Sequence, residues 1–322
     1  MKAPGFWEHD GLVPALLSPF ATLYARVTAR RVARPGWRAP VPVFCCGNAG
    51  AGGAGKTTVA LDFGARLVTL GVAPAFLTRG YGGRVMRPAQ VGPGDVAAEM
   101  GDEALLLAAV APTFVCPDRA EGARAAIGAG ARALVMDDGL QNPSLRKDFS
   151  ILVIDGGSGF GNGRVIPAGP LREPVAAAAA RCQAAVLIGP DARAAHAALP
   201  GNLKLLRATL APVGAAVLAG QAVLAFAGIG RPGKFFETLE AAGAHLAQRC
   251  AFPDHHPYSA RDIEQLLDAA RRIGAVPVTT PKDAVRLPVT LRDAIQIVGV
   301  RLDWEDPAAI DAMVAGVMEG RR

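Results

Sequence analysis

The chain has 322 residues, of which 51% are hydrophobic and 19% are charged. This composition excludes a disordered chain. Since a domain usually has about 100 to 200 residues, the length favours two folded domains. The 34 Lys and Arg residues exceed the 28 Asp and Glu residues only mildly, so we expect phosphate-bearing ligands or an anionic membrane surface as partners and no nucleic acid.

The five cysteines, at positions 45, 46, 116, 182 and 250, contain no C-x-x-C pair. An odd number without this spacing argues against a disulfide framework and against a zinc site. We therefore expect a reducing compartment.

The first 38 residues form a segment of their own. Residues 11–25 carry no charge, and arginines follow at positions 26, 30, 31, 34 and 38. The uncharged run is shorter than the roughly 20 residues that span a bilayer, and Pro14 and Pro19 are expected to interrupt it. Glu8 and Asp10 also fit poorly in a signal peptide. Two interpretations stay open: a helix packed on the following domain, or an amphipathic segment in a membrane interface with its arginines on anionic headgroups.

Residues 41–58 predict a strand, a glycine-rich loop and the start of a helix. Within them the chain fills the spacing G-x-x-x-x-G-K-[ST], in which backbone N–H groups surround phosphate oxygens. Lys56 would reach the β- and γ-phosphates, and the Thr57 hydroxyl would bind Mg²⁺. A glycine-rich turn that binds nothing is disfavoured by the flanking strand and helix. The predicted nucleotide-contacting residues are Gly50, Gly52, Gly53, Gly55, Lys56, Thr57 and Thr58.

Apolar runs and helical periodicity then alternate to about residue 210. Such alternation implies a mostly parallel sheet with helices on both faces. The predicted elements are helix 58–70, strand 74–78, helix 104–110, strand 113–116, helix 118–130, strand 133–136 and strand 149–154.

Polar side chains follow several of these elements. A flexible loop at 79–83 carries Arg79 and Tyr81, and Asp102 precedes a helix, where an acid is also a common cap. Asp137 and Asp138 end a buried strand, as the carboxylates that hold Mg²⁺ do in phosphate-loop proteins. A solvated turn is the alternative for this acidic pair.

The loop at 156–174 is rich in Gly and Pro and carries Arg164 and Arg172. A connection of this length is more often functional or mobile than a simple link. Its two arginines are candidates for gripping phosphate, although surface arginines are the default.

A second strand–helix series covers 222–318. Residues 228–233 match G-x-G-x-x-G, but no acid follows at the expected distance, so we interpret them as a tight strand-to-helix turn. Asp254, His255 and His256 form a polar cluster suited to acid/base chemistry or, less well, to a metal. Residues 281–286 lack the N-K-x-D pattern that reads guanine, which disfavours a GTPase.

Taken in order, these segments resemble the tetraacyldisaccharide 4'-kinases, which phosphorylate the lipid A precursor of Gram-negative outer membranes. Ala54 and Thr58 depart from that pattern, where Thr and Pro are usual, and they leave the glycines and Lys56 intact. The matching segments are G-N at 47–48, G-G-A-G-K-T at 52–57, R-G-Y-G-G at 79–83, G-D-E at 101–103, D-D-G-L-Q-N at 137–142, P-A-G-P-L-R-E-P at 167–174, F-A-G-I-G-R-P at 226–232, F-P-D-H at 252–255 and T-P-K-D-A-V-R at 280–286.

The resemblance implies a P-loop NTPase-type α/β fold, with a mostly parallel sheet covered by helices on both faces and a second, smaller α/β domain. Residues 1–38 would be a membrane-associating helical segment and residues 39–210 the P-loop kinase domain. Residues 211–322 would close over the active site.

By the same resemblance, the enzyme is a peripheral protein on the cytoplasmic face of the inner membrane. It would use ATP and Mg²⁺ to phosphorylate a sugar hydroxyl of a phosphoglycolipid. Asp102 and His255 would be the catalytic pair, and Thr57, Asp137 and Asp138 the metal ligands. Arg79, Tyr81 and Arg172 are candidates for contacting the substrate.

Two other classes stay open from sequence. A P-loop switch ATPase or GTPase often carries a signature lysine where this chain has Ala51. A non-catalytic nucleotide-binding module would need Lys56 and Thr57 but neither Asp102 nor His255.

Overall fold

The computed structural model describes residues 4–321. The strands in this part of the chain are β1 (Val43–Gly47), β2 (Pro74–Thr78), β3 (Ala89–Gln90), β4 (Thr113–Val115), β5 (Ala133–Asp137), β6 (Phe149–Asp155), β7 (Ala184–Ile188), β8 (Lys204–Val213), β9 (Ala222–Ala227), β10 (His245–Ala251), β11 (Val276–Thr279), β12 (Gln296–Ile297) and β13 (Gly299–Trp304). The helices are α1 (Leu12–Val32), α2 (Lys56–Thr69), α3 (Ala97–Met100), α4 (Asp102–Ala108), α5 (Arg119–Gly128), α6 (Val175–Ala179), α7 (Pro232–Ala241), α8 (Ala260–Arg272), α9 (Pro281–Ala284), α10 (Val289–Arg292) and α11 (Pro307–Glu319). Short 3₁₀ turns occur at Gly5–Trp7, Ala195–Ala198 and Ala216–Leu218.

The larger sheet has the strand order β13-β8-β7-β6-β1-β5-β2-β4-β3. Its inner strands pair in parallel, and only the edge strands β13 and β3 are antiparallel to their neighbours. The central strands are buried along almost their whole length because helices cover both faces. The predicted mostly parallel sheet is thus confirmed.

The core of this sheet lies in two layers. On one face the rings of Phe44, Phe63 and Phe149 pack together, with centroids 5.9 to 6.1 Å apart. On the other face Leu134 and Met136 belong to a second buried cluster. Parallel strands fixed in this way bring all their carboxyl ends to one edge of the sheet, where α/β proteins bind ligands.

The smaller sheet has the order β10-β9-β11-β12, and all its pairs are parallel. Helix α7 packs on one face and α8 on the other. Ser259 and Asp262 form a capping box that starts α8, which satisfies N–H groups that a helix leaves free. The glycine-rich residues 228–233 form the turn from β9 to α7, as interpreted from the sequence.

The last part of the chain differs from the sequence expectation of a second unit over 211–322. Strand β13 pairs antiparallel with β8 in the larger sheet, from Gly299 opposite Val213 to Trp304 opposite Ala208. Helix α11 packs on the same core as α2. The reason is that β8 needs an edge partner and the apolar side chains of β13 and α11 complete the aromatic layer. The smaller sheet is therefore an insertion between β8 and β13.

Helix α1 runs unbroken through both prolines, so the expected interruption at Pro14 and Pro19 was wrong. Pro14 is the third helical residue, where the N–H would have no partner in the helix. Pro19 lies inside the helix, one residue after Ser18, whose hydroxyl donates to the Pro14 carbonyl at 2.8 Å.

Only Pro14, Ala21 and Thr28 of α1 are buried, at intervals of seven residues. The helix therefore rests on the protein along a narrow stripe and exposes an apolar face made of Leu12, Val13, Leu16, Phe20, Leu23, Tyr24 and Val27. Among the helices of residues 4–321, it alone is long and apolar enough to cross a membrane, by length and composition only.

Candidate active site

The glycine-rich loop joins β1 to α2 at the carboxyl edge of the larger sheet. Gly55, immediately before Lys56, has φ of 87°, a left-handed conformation that favours glycine. A Cβ at this position would also lie 2.9 Å from Cδ1 of Ile188. The turn aims the first N–H groups of α2 out of the sheet edge, where they can bind an anion.

The loop is braced by part of the long connection at 156–174. The N–H of Ala51 donates to the carbonyl of Pro170, and the N–H of Arg172 donates to the carbonyl of Ala49, both at 2.7 Å. Gly50 forms an isolated bridge with Leu171. These contacts hold the loop in shape without a nucleotide, which lowers the ordering cost of binding one.

The predicted nucleotide-contacting residues lie together around this loop. Gly52 and Gly53 are exposed, whereas Thr58 is half-buried in the first turn of α2. Nζ of Lys56 donates to the Gly52 carbonyl at 3.2 Å and lies 3.8 Å from Oδ1 of Asp138. The ammonium group thus lies across the mouth of the loop, where the phosphates would be.

Thr57 and Asp137 form the part of the site that fits a divalent cation. Oγ1 of Thr57 donates to Oδ2 of Asp137 at 2.8 Å, while the buried Oδ1 of Asp137 has no partner. The pKa of Asp137 is raised to about 7, mainly by burial and secondly by the negative charge of Glu103. Hard oxygen ligands and an unsatisfied carboxylate oxygen suit Mg²⁺. No group of three or more His, Cys, Asp or Glu side chains placed for a metal occurs within residues 4–321, so phosphates and water would supply the remaining ligands.

Asp138 is held differently from its neighbour. Its φ is 51°, and Nη1 of Arg172 donates to its two carboxylate oxygens at 2.8 and 3.0 Å. Burial alone would raise the pKa of Asp138, but Lys56 and Arg172 outweigh it and lower the pKa below its ordinary value. Asp138 is therefore ionised, and its carboxylate is paired with the side chains of Lys56 and Arg172. Asp137, by contrast, keeps one carboxylate oxygen without a hydrogen-bond partner. Arg172, a candidate for substrate contact, is also engaged in this pair.

These opposite shifts predict opposite effects on stability. The raised pKa means that Asp137 contributes stability below its ordinary pKa of about 3.9, and this contribution is lost as pH rises through about 7. In metal-free protein we expect Asp137→Asn to gain stability relative to wild type as pH rises from 6 to 8, measured by urea unfolding in EDTA. Asp138→Asn is the matched control and should destabilise at both values, because Lys56 and Arg172 lose their partner. A wild-type-like pH profile in Asp137→Asn would contradict this assignment.

Asp102, on the side of the larger sheet, is in contact with His255, which belongs to the smaller sheet. Asp102 is the first residue of α4, and His255 lies in the loop after β10. Nδ1 of His255 lies 2.8 Å from Oδ2 of Asp102, whose side chain is 8% exposed. His255 has φ of 60°, a conformation that non-glycine residues adopt at a cost of about 1 kcal/mol or more. Strain of this kind is often found at functional sites, and here it directs the ring toward the other sheet.

A lysine fixes which nitrogen of His255 carries the proton. Nζ of Lys282 lies 3.3 Å from Nε2 of His255, and an ammonium group can only donate. Nε2 is therefore the acceptor, so Nδ1–H donates to Asp102. In this arrangement the imidazole orients the carboxylate.

Sequence reasoning missed Arg286, which links both sheets. Its Nε lies 3.3 Å from Oδ2 of Asp102, and its side chain is only 5% exposed. Nη2 donates to Oδ1 of Asp283 at 2.9 Å and to the Gly228 carbonyl at 3.0 Å. The same Gly228 carbonyl accepts the N–H of His255 at 3.0 Å. The available signal was the T-P-K-D-A-V-R segment at 280–286, in which Lys282 lies in α9 and Arg286 follows shortly after its end.

Tyr81 stands beside the Asp102–His255 pair, with its ring centroid 5.9 Å from that of His255, and the residue is 67% exposed. Its loop is pressed against the turn before α4: a Cβ on Gly83 would lie 2.3 Å from the Glu99 carbonyl. Arg79 is exposed at the base of this loop. Both substrate candidates of the loop are thus accessible on the side of the site where Asp102 lies.

Of the other two residues in the 254–256 cluster, Asp254 lies beside His255, with its Oδ2 3.8 Å from Nε2 of that ring, whereas His256 points away. The ring of His256 packs on Phe252, with centroids 4.7 Å apart, and its Nε2 lies 3.7 Å from Asp262. Asp254 faces Lys282 at 3.8 Å. Adjacent histidines therefore point in different directions, which does not favour the alternative of a metal site at 254–256.

Comparisons with known proteins show the family to which the chain belongs. A sequence model of the tetraacyldisaccharide-1-P 4'-kinase family matches residues 13–319. A tetraacyldisaccharide 4'-kinase of Gluconacetobacter diazotrophicus is 59% identical over 318 residues, covering 98% of this chain and 97% of the relative. One of Rhodospirillum rubrum is 52% identical over 328 residues, covering 100% and 99%.

A crystal structure of LpxK from Aquifex aeolicus in complex with ATP is similar in fold, with a TM-score of 0.78 at 24% identity. The similarity covers 95% of this chain and 100% of that one. Since the family model spans nearly the whole chain and the relatives match it end to end, this protein belongs to the tetraacyldisaccharide-1-phosphate 4'-kinase family.

Proposed function

We propose that this chain transfers the γ-phosphoryl group of ATP to the 4'-hydroxyl of a tetraacyldisaccharide 1-phosphate in lipid A biosynthesis. The observation that carries this proposal is the 2.8 Å contact between Asp102 and His255 at the edge of the sheet that bears the phosphate loop. A nucleotide-binding module or a switch NTPase needs the loop but not this pair.

Asp102 is the group that takes the proton of the sugar hydroxyl. One of its oxygens, Oδ2, is already occupied by His255 and Arg286, which leaves Oδ1 for the substrate. A carboxylate held on one side by the His255 hydrogen bond and the Arg286 ion pair cannot turn away, and such positioning is a main source of acid/base catalysis. Arg286 and Lys282 act through Asp102 and His255 and are positioning residues.

Phosphoryl transfer depends mostly on placing charges around the transferred group. We assign Lys56 to the β- and γ-phosphates, and Thr57 with Asp137 to Mg²⁺, which when bound neutralises charge developing on the phosphate oxygens. Asp138 then sets the position of Lys56 and Arg172. Tyr81 and Arg79 are proposed to contact the sugar or its 1-phosphate, since they lie exposed next to Asp102.

The direct test is ATP consumption by purified protein with and without a tetraacyldisaccharide 1-phosphate. We expect turnover to depend on the lipid and the product to carry one added phosphate by mass spectrometry. Equal ATP consumption in both arms would identify a switch ATPase, and binding without turnover in either arm would identify a non-catalytic module.

We further propose that the protein is peripheral on the cytoplasmic face of the inner membrane, with α1 in the interface. The support is the exposed apolar face of α1 together with the exposed Arg26, Arg30, Arg31 and Arg34 at its end. An amphipathic helix flanked by arginines binds through buried apolar area and attraction to anionic lipid. A cytoplasmic location also agrees with the five free cysteines.

Replacing Leu16, Phe20 and Leu23 together by Ser should move the protein from the membrane pellet to the soluble fraction. These side chains are exposed, so the fold should be kept while the apolar face is lost. We expect KM for the lipid to rise more than KM for ATP. The control replaces Val217 and Val289, which are as exposed but lie in the inserted sheet region. Unchanged partitioning of the triple variant would favour a helix that serves only to pack on the protein.

A further inference from the structure

Arg231 brings a positive charge from the smaller sheet to the phosphate loop of the larger one. It lies in the turn between β9 and α7, and Nη2 donates to the Gly53 carbonyl at 3.3 Å. Gly53 lies in the middle of the loop whose N–H groups are arranged for phosphate. The guanidinium is therefore at the rim of the nucleotide site, 178 residues away in sequence.

The same nitrogen of Arg231 also donates to Oδ2 of Asp155, at the carboxyl end of β6. Lys234 binds this carboxylate as well, with Nζ 3.1 Å from Oδ2. Asp155 is itself fixed, because its Oδ1 accepts the N–H groups of Gly157 and Ser158 at 2.9 and 3.0 Å. Two cations on one carboxylate leave a net positive charge beside the phosphate loop.

Arg231 has donors to spare for a new ligand. A guanidinium carries five N–H donors, and both contacts described use a single terminal nitrogen. Its side chain is 45% exposed, so it can move. If Arg231 left Asp155 for a nucleotide phosphate, Lys234 would still neutralise Asp155. The charge cost of the move is therefore small.

We propose that Arg231 is a catalytic arginine supplied from the smaller sheet, which moves from Asp155 onto the β- and γ-phosphates of bound ATP. There it stabilises the negative charge of the phosphoryl group during transfer, as arginines supplied to other phosphate-loop enzymes do. The smaller sheet also carries His255, so both groups reach the site on one rigid unit. This inference rests on the proposed phosphoryl transfer.

The test uses Arg231→Ala and Arg231→Lys, with binding of Mg²⁺–ADP and of Mg²⁺–β,γ-imido-ATP measured by calorimetry without lipid. We expect Arg231→Ala to lower kcat by about 10²- to 10³-fold, since removing one donor from a developing charge costs that much in other enzymes. It should weaken the imido analogue about tenfold, equivalent to about 1.4 kcal/mol, and ADP at most about twofold. Arg231→Lys should recover part of kcat, because lysine restores the positive charge but not the paired N–H donors of a guanidinium.

Asp155→Asn separates this role from a simple latch between the sheets. Asn keeps an acceptor for the N–H groups of Gly157 and Ser158 but releases Arg231. In our proposal it binds the imido analogue as tightly as wild type or tighter. If Arg231 only held the two sheets together, Asp155→Asn would weaken binding of the imido analogue as Arg231→Ala does. That result would overturn the proposal. Equal loss of ADP and analogue affinity in Arg231→Ala would overturn it too.

Arg249→Ala is the matched control, because Arg249 is an exposed arginine of the same sheet that pairs with Glu240. It should leave kcat and both affinities unchanged. Because nucleotide binding is measured without acceptor, a failure of this inference is distinguishable from a failure of the proposed function, which only the lipid-dependent assay reports.

Discussion

Lys56→Ala is expected to reduce phosphoryl transfer by at least about 10³-fold, because charge positioning dominates this class of reaction. The ammonium group of Lys56 lies between the Gly52 carbonyl and Asp138, at the mouth of a loop already braced in shape. The measurement is kcat with saturating lipid and ATP.

Lys204→Ala, an exposed lysine on β8, is the control and should retain wild-type turnover. Thr57 gives a second arm: Thr57→Ala should lose activity on the same scale, whereas Thr57→Ser keeps the hydroxyl that bonds Asp137 and should retain most of it. Near-normal turnover in Lys56→Ala would refute the phosphate-loop assignment.

Asp102→Asn is expected to lower kcat by about 10²- to 10⁴-fold, the usual loss when a positioned acid/base is removed. KM for ATP should change little, since in our proposal Asp102 contacts the acceptor and not the nucleotide. Asn keeps the size and one acceptor for Nδ1–H of His255, so the variant tests the charge and basicity of the group. Wild-type kcat in Asp102→Asn would mean that no base is needed in a loose transition state, or that Asp137 or Asp138 supplies it.

The neighbouring histidines provide an internal control for this pair. His255→Ala should lower kcat less than Asp102→Asn does, because His255 orients the carboxylate and does not take the proton. His256→Ala should lower it least, since the ring of His256 packs on Phe252 away from Asp102. A larger loss in His256→Ala than in His255→Ala would show that the pair is wrongly assigned.

Local sequence patterns predicted much of the first sheet. Three local patterns were enough: the periodicity of hydrophobic residues, the placement of glycines and the acids at strand ends, each of which extends over a few residues. They predicted the phosphate loop, α2, β2, β5 and β6. The pairing of Asp102 with His255 came from family resemblance alone. These residues are 153 positions apart, and no local periodicity encodes a contact at that separation.

The parts that sequence reasoning missed are long-range contacts of the same kind. Arg286 and Arg231 look like surface arginines until the smaller sheet is placed over the larger one. Strand β13 was missed because its partner β8 lies about 90 residues earlier in the chain, from the pairing of Gly299 with Val213 to that of Trp304 with Ala208. Pro14 of α1 was misjudged because it lies in the first turn, where a helix tolerates proline, and that depends on where the helix begins.

The insertion of the smaller sheet between two paired strands makes the chain a candidate for division by engineering. Val213 and Gly299 are already opposite each other in an antiparallel ladder, so a short hairpin turn can replace everything between them. The minimal protein that remains would keep Lys56, Thr57 and Asp137 on an intact sheet but lack His255, Lys282 and Arg286. It would thus retain the nucleotide site and Asp102 without the residues that hold Asp102 in place, so the removed segment could be supplied separately, redesigned or exchanged as a cassette.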